Sequence, residues 1–387
     1  QGKGAAAMKA YDSQPPQALQ HIKVLDLSRV LAGPWAAQTL GDLGAEVIKV
    51  ERPGSGDDTR AWGPPYVADT EGLPTGESAY YMCTNRNKQS IALDLKDAAN
   101  IEMIRNKISE FDILLEQFRP DVMRRLGLDY DTLAEINPRL IYCSITGYGQ
   151  TGTYKDRAGH DINYLALAGV SGHSGRQDGG PPPLGIQIAD VAGGSLHAVI
   201  GILAAVVERQ RSGMGQYIDI SMTDCVASLN SMAASASLAG QTPQGPEQGM
   251  LNGAIFYDYY ETKDGRYFSV GSLEPQFMTG LAAALELPIL MAKGSSFDPE
   301  DRQAIKQALK EKFRSKDFAE WQSIFSQLDI CVEPVLSLDE ALTSPIAKQR
   351  GWVVDVPLSE NTDQTEPQLA CPIKFSRSQM RYQFIGQ

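Results

Sequence analysis

Short apolar runs alternate with stretches of helical spacing across the first half of the chain. Residues 22–27 form an apolar run closed by Ser28 and Arg29. Pro34 then stands where a helix can begin, over residues 35–43, and Gly44 ends it. The pattern repeats with strands expected at 45–50, 90–95, 113–118 and 140–146, and helices at 98–109 and 122–126. A long apolar helix is expected over 194–209, a strand over 217–221 and a further helix over 222–238. Strands separated by helices imply βαβ units and a parallel sheet, in which ligands gather at the carboxyl ends of strands.

The texture changes after residues 241–248, which are rich in Pro, Gly and Gln and read as a linker. A β-hairpin is expected from 254–260, a turn at 263–265 and 267–271, followed by helices over 304–313 and 318–328. Short strands and turns after Trp352 are expected to return to the first domain. The expected fold is α/β. A Rossmann-like large domain spans 20–221, a linker helix and loop 222–250, a smaller α+β domain 251–335, and the returning chain 336–387. Residues 1–19 read as a tag remnant (Gln1 to Ala7, ahead of Met8) and an N-terminal extension, with no signal peptide.

Composition narrows the function classes. The 35 Lys+Arg against 47 Asp+Glu give a net charge of -12, which argues against coating nucleic acid or lying on an anionic membrane. A local cluster of cations can still hold a polyanion on such a chain. Five scattered cysteines, never in a CxxC pair, fit reduced thiols in a cytoplasmic location. Four histidines without ligand spacing give no expectation of a metal. The uncharged stretch 191–207 contains Gly193, Gly194, Ser195 and His197, and reads as a buried helix rather than a membrane span.

Two familiar motifs fail on their context. Gly147-Tyr148-Gly149-Gln150-Thr151-Gly152 matches GxGxxG but leads into Thr153–Arg157, which do not read as the helix a dinucleotide site needs. Ser174 sits in a near-elbow whose last glycine is Arg176. Three acid–base candidates remain. His160 lies in Gly159-His160-Asp161-Ile162-Asn163-Tyr164, where a general base and a hydrogen-bonded structural His are both open readings. Asp190 directly precedes the long apolar helix, where an ordinary N-cap is the competing reading. Glu274 follows a strand and precedes Pro275, and an ordinary loop glutamate is its alternative.

Longer segments carry a resemblance. Val24-Leu25-Asp26-Leu27-Ser28-Arg29-Val30-Leu31-Ala32-Gly33-Pro34, Leu43-Gly44-Ala45-Glu46-Val47-Ile48-Lys49-Val50-Glu51-Arg52-Pro53, Asn87-Lys88-Gln89-Ser90 and Asn137-Pro138-Arg139-Leu140-Ile141-Tyr142 resemble family III CoA-transferases of the CaiB/BaiF type. That family includes CoA-transferases, which move CoA between carboxylic acids, and α-methylacyl-CoA racemases, which invert the centre beside a thioester. The segments around His160 and Glu274, and the hairpin from Phe256 to Gly265, resemble the racemase branch. Tyr81 through Lys88 resembles the transferase branch.

The resemblance implies an acyl-CoA racemase acting on a 2-methyl or similar 2-substituted acyl-CoA by two-base proton transfer through an enolate. The alternative is a CoA-transferase with a covalent intermediate on Asp190. A CoA- or nucleotide-binding protein without turnover is a third reading, disfavoured by the presence of His160, Asp190 and Glu274. In the racemase reading His160 and Asp190 exchange acid and base roles, Glu274 orients His160, and the Asp161 backbone N–H receives the enolate oxygen. Arg52, Lys88 and Arg125 are the implied CoA-phosphate ligands, with Asp161 and Tyr164 beside the pantetheine and thioester. No separate cofactor is implied, since CoA enters as part of the substrate. The implied assembly is an interlocked homodimer, in which Glu274 of the partner subunit would complete the site.

Overall fold

The computed structural model describes residues 16–240 and 244–384. The N-terminal remnant, and residues 241–243 of the expected linker, lie outside the described residues. The chain forms two compact units. The first takes in the chain up to Ala168, Gly185–Leu229 and the chain from Pro345 onward. The second takes in Gly169–Leu184 and Asn230–Ser344.

The first unit is built on a six-stranded, all-parallel sheet. Its strands are β1 (Lys23–Asp26), β2 (Glu46–Glu51), β3 (Lys88–Ala92), β4 (Ile113–Glu116), β5 (Ile141–Thr146) and β6 (Tyr217–Ser221). They run in the order β3-β2-β1-β4-β5-β6. Leu25 aligns with Ile48 on one side and Leu114 on the other, and Leu114 aligns with Tyr142. Every residue of β4 and β5 is buried, as expected of strands covered on both faces. On one face Leu25, Leu114 and Tyr142 pack in a core with Ile101, Ile104 and Ile108 from helix Ala98–Lys107 and the turn after it. The helix following β1, α1 (Ala32–Asp42), begins close to Pro34 as the sequence suggests.

The strand order reverses between β1 and β4. In such a sheet this is where a crevice opens beyond the strands' carboxyl ends. Three segments come to that crevice: the loop after β1, the loop after β4, and the end of β5.

The sheet's centre holds a buried polar network. Lys88 is fully enclosed and donates to Asp26 Oδ2 at 3.0 Å, Pro34 O at 3.0 Å and Asn85 Oδ1 at 2.8 Å. Lys49 donates to Asp57 at 2.7 Å and to Asn85 at 3.1 Å. Burial would raise the Asp26 carboxyl, yet Lys88 and Lys49 hold it below its ordinary value. Burial pushes the Lys88 ammonium down to about 8 against the opposing pull of Asp26.

The returning chain closes the first unit. A hairpin of Val353–Pro357 and Thr365–Leu369 packs Val356 with Tyr81 and Met82. Arg86 pairs with Asp42 at 2.8 Å and donates to Leu369 O at 2.7 Å. Asn87 donates from its backbone to Phe384 O at 2.8 Å and from its side chain to Arg381 O at 2.7 Å.

The long apolar segment, Ile188–Ser212, is long and apolar enough by composition to cross a membrane. In the fold it buries Ala198, Val199, Ile202 and Ala205, and contacts β5 and β6. The expected single helix over 222–238 is two helices, Met222–Ser228 and Ser231–Leu238, which fall in different units. In the second unit Asp258–Glu261 and Tyr267–Val270 form the expected hairpin, and Val332–Pro334 adds an unexpected third antiparallel strand. Its core centres on Trp321, whose Nε1 donates to Phe313 O at 2.8 Å among Phe268, Phe318 and Phe325.

Candidate active site

A cleft of about 520 Å³ lies in the first unit at this strand reversal. Its walls come from Arg29 to Ala32 after β1, Gln117 to Pro120 after β4, Ile145 to Tyr148 at the end of β5, and Lys155 with Arg157 to His160. His160, Tyr164 and Asp190 all line it.

The wall segments are fixed from below. Glu116, at the end of β4, is buried and accepts from the Phe118 N–H at 2.8 Å and from the Ser144 hydroxyl. Burial pushes its carboxyl up to about 7. Gln117 accepts the Gly33 N–H at 3.0 Å, and the Phe118 ring lies 5.3 Å from the Arg29 guanidinium. Val30 holds φ at +73°, a conformation costly for a β-branched residue, while its N–H donates to Asp57 at 3.2 Å.

His160 is the N-cap of the helix Asp161–Leu167 and is exposed. Its N–H donates to Asn163 Oδ1 at 3.0 Å, and its carbonyl accepts from the Asn163 N–H at 2.9 Å. His160 lines the cleft, and its backbone together with Asn163 begins the helix. Tyr164, one turn on, donates to Gly159 O at 2.7 Å and packs edge-on against Tyr148 with ring centroids 5.3 Å apart. Burial, reinforced by the Asp190 carboxylate, pushes its hydroxyl up to about 12.

Asp190 is not an N-cap. Residues Ile188–Ser195 wind as a π-helix that runs directly into the α-helix Leu196–Ser212. Such wide turns are rare and recur at functional sites. Gly193 and Gly194 let this turn press against the helix Met222–Ser228. A Cβ on Gly193 would lie 3.0 Å from Val226 Cγ1, and one on Gly194 2.9 Å from Met222 Cγ. Ser195 reaches both Ala32 O at 2.6 Å and Asp190 O at 3.1 Å. The Asp190 N–H donates to Asp161 Oδ1 at 2.8 Å. Burial pushes the Asp190 carboxyl up to about 6, the Asp161 carboxylate adds to the rise, and His160 opposes it. Near neutral pH such a carboxyl both holds and releases a proton readily.

The remaining expected site residues are placed differently. Asp161 is not among the cleft-lining residues. Glu274 is exposed at the head of helix Pro275–Leu285 in the second unit. Arg52 is half-exposed and paired with Asp58, which itself lines the cleft. Arg125 lies on the surface, 3.5 Å from Asp121, and does not line the cleft. Lys88 departs most from expectation. It is 0% exposed with three internal acceptors, so no donor is left for a phosphate. Among the described residues four Lys and Arg side chains line the cleft, Arg29, Arg119, Lys155 and Arg157, and none is among the phosphate ligands expected from the sequence. Arg29 and Arg119 follow directly on β1 and β4, so the strand-end rule was the available signal.

The whole-chain comparison decides the family. The family described as CoA-transferase family III matches residues 19–385. The chain belongs to CoA-transferase family III. Members of both branches are similar to it. Human succinyl-CoA:glutarate CoA-transferase is 36% identical over 343 residues, covering 87% of this chain and 76% of that protein. Mouse alpha-methylacyl-CoA racemase is 39% identical over 340 residues, covering 86% and 81%. The crystal structure of a CAIB/BAIF family protein from Brucella suis superposes with a TM-score of 0.81 at 33% identity, covering 95% of each chain. The family III assignment thus includes both named activities, and the parallel α/β fold agrees with the Brucella structure.

Proposed function

We propose that this family III protein is an acyl-CoA racemase or epimerase that inverts the α-carbon of a 2-methyl or similar 2-substituted acyl-CoA. The carrying observation is that His160 and Asp190 line one cleft, with the Asp190 carboxyl raised to about 6. The α-hydrogen beside a thioester is a weak carbon acid. Inversion needs a base on one face of the enolate and an acid on the other, each close to neutral in proton affinity. His160 and Asp190 take these roles and exchange them with the hand of the substrate. The Asp161 N–H stands in the first helical turn, where it has no intrahelical acceptor, and is the proposed donor to the enolate oxygen. Glu274 is the proposed orienting group for His160, within the interlocked dimer that the family resemblance implies.

The similarity to succinyl-CoA:glutarate CoA-transferase supports a second reading, in which the Asp190 carboxylate attacks the thioester and CoA departs as thiolate. One experiment separates the two. A 2-methylacyl-CoA incubated with the protein in deuterated water is expected to gain one deuterium at the α-carbon, read by mass spectrometry, with no second carboxylic acid present. CoA transfer that requires an added acid, a hydroxylamine-trapped adduct on Asp190 and no α-exchange across an acyl-CoA panel would reject the racemase.

The anionic end of CoA needs cations, and the guanidinium groups of the cleft, which form no ion pair among the described residues, meet that need better than the surface pairs. Calorimetry is expected to show acyl-CoA affinity falling by about 10- to 100-fold in Arg119→Ala and Arg157→Ala, the loss of one charge-assisted contact each. Arg52→Ala should lose less, because Asp58 already competes for that guanidinium. Unchanged affinity in Arg119→Ala and Arg157→Ala would remove this placement.

A further inference from the structure

Both backbone polar groups of Asp190 are held by side chains. Ser195 reaches its carbonyl, and the Asp161 carboxylate receives its N–H at 2.8 Å. The second contact brings one acidic residue onto the backbone of another. Among the described residues Asp161 forms no ion pair that would offset its charge. It is only half-buried, and its element is the helix that His160 caps. The two proposed acid–base groups are therefore joined by one hydrogen bond between their elements.

We propose that Asp161 is a positioning residue: its carboxylate anchors the π-helical turn through the Asp190 amide and sets a like charge beside the Asp190 carboxyl. This role belongs to the side chain and is separate from any role of the Asp161 backbone. It rests on the reading of Asp190 as an acid–base group. Charge and hydrogen bonding act in different directions here. The anchor fixes where the Asp190 carboxyl points, and the charge sets when it carries a proton.

The groups facing Asp190 determine what a test must hold constant. From the helix Asp161–Leu167 and its N-cap these are His160, Asp161 and Tyr164. The surrounding cleft walls carry Arg29, Asp58, Arg119, Lys155 and Arg157. Changing the Asp161 side chain leaves all of the latter in place.

Asp161→Asn keeps an oxygen for the Asp190 amide and removes the charge, whereas Asp161→Ala removes both. Carbon-13 NMR of carboxyl-labelled aspartate, assigned by difference against Asp190→Asn, reads the Asp190 titration without reference to activity. The expected result for Asp161→Asn is a titration moved to lower pH, with the acid limb of the kcat/KM profile moving by the same amount. Each unit of movement lowers the protonated-to-ionised ratio at a given pH tenfold. Asp161→Ala is expected to lower kcat beyond the asparagine variant, and Asp161→Glu to restore the titration toward higher pH. If Asp161→Asn folds poorly, Asp161→Ser serves the same comparison. An Asp190 titration at the same pH in wild type and in both uncharged variants would overturn the proposal. Turnover preserved in Asp190→Asn would instead overturn the acid–base reading, while the NMR titration would still report whether Asp161 tunes its neighbour.

Discussion

Asp190→Asn is expected to lower turnover by about a thousandfold, within the range seen when a positioned acid–base group is removed. The amide is close in size, and the backbone contacts to Asp161 and Ser195 do not use the Asp190 side chain. Fold and acyl-CoA binding are therefore expected to persist, while the amide can neither pass a proton to carbon nor attack a thioester. The informative companion is His160→Ala. The helix it caps is begun by its backbone and by Asn163, so losing the imidazole leaves that helix in place. In a racemase His160→Ala should also remove α-exchange by about 10²–10⁴-fold, since one face of the enolate loses its proton carrier. In a transferase it should change turnover by only a few fold. Mass spectrometry of α-deuterium and of CoA transfer, run on both variants, reads these outcomes. An Asp190→Asn protein retaining more than about a tenth of wild-type turnover by either assay would remove Asp190 from the chemistry.

Lys88→Met should act on stability with comparable force. The substitution leaves Asp26 fully enclosed with its main ion pair gone. Breaking one side of a buried, hydrogen-bonded pair costs about 3–5 kcal/mol because the remaining charge has no water to turn to. Lys49 is the nearest replacement cation, but its donors already serve Asp57, Asn85 and Ser28 O. Urea unfolding should therefore show a large fall in midpoint for Lys88→Met and a partial recovery in Asp26→Asn/Lys88→Met. By contrast, Arg52→Ala breaks an exposed pair and should change stability by about 1 kcal/mol or less. A Lys88→Met protein within about 1 kcal/mol of wild type would show that the network is not held by this pair. The same measurement separates interior framework from ligand contact, the two roles between which sequence and structure disagree for Lys88.

The parallel sheet was legible because β4 and β5 are short, largely apolar runs bounded by turn residues, and buried parallel strands have that signature. His160 and Asp190 were legible as residues, and the structure brings them to one cleft. Their surroundings were not. A lysine reads as a surface residue, and nothing local to Lys88 tells of Asp26, sixty-two positions earlier, waiting in the interior. The break near Leu229 was hidden by small and apolar residues on both sides, all of them compatible with one continuous helix. The π-helical turn left no mark beyond Gly193 and Gly194, which also suit a tight helix crossing. The cleft cations are single residues in different loops, assembled only by the order of the strands.

The closure of the first unit by Arg381 and Phe384 has a consequence for biosynthesis. Asp42, Arg86 and Asn87 leave the ribosome well before their partners Leu369, Arg381 and Phe384, which are made some three hundred residues later. At roughly 5–20 residues per second, the β3 edge of the sheet waits about 15–60 seconds for its final contacts. During that interval the nascent chain carries an incomplete sheet margin while the whole of the second unit is being synthesised.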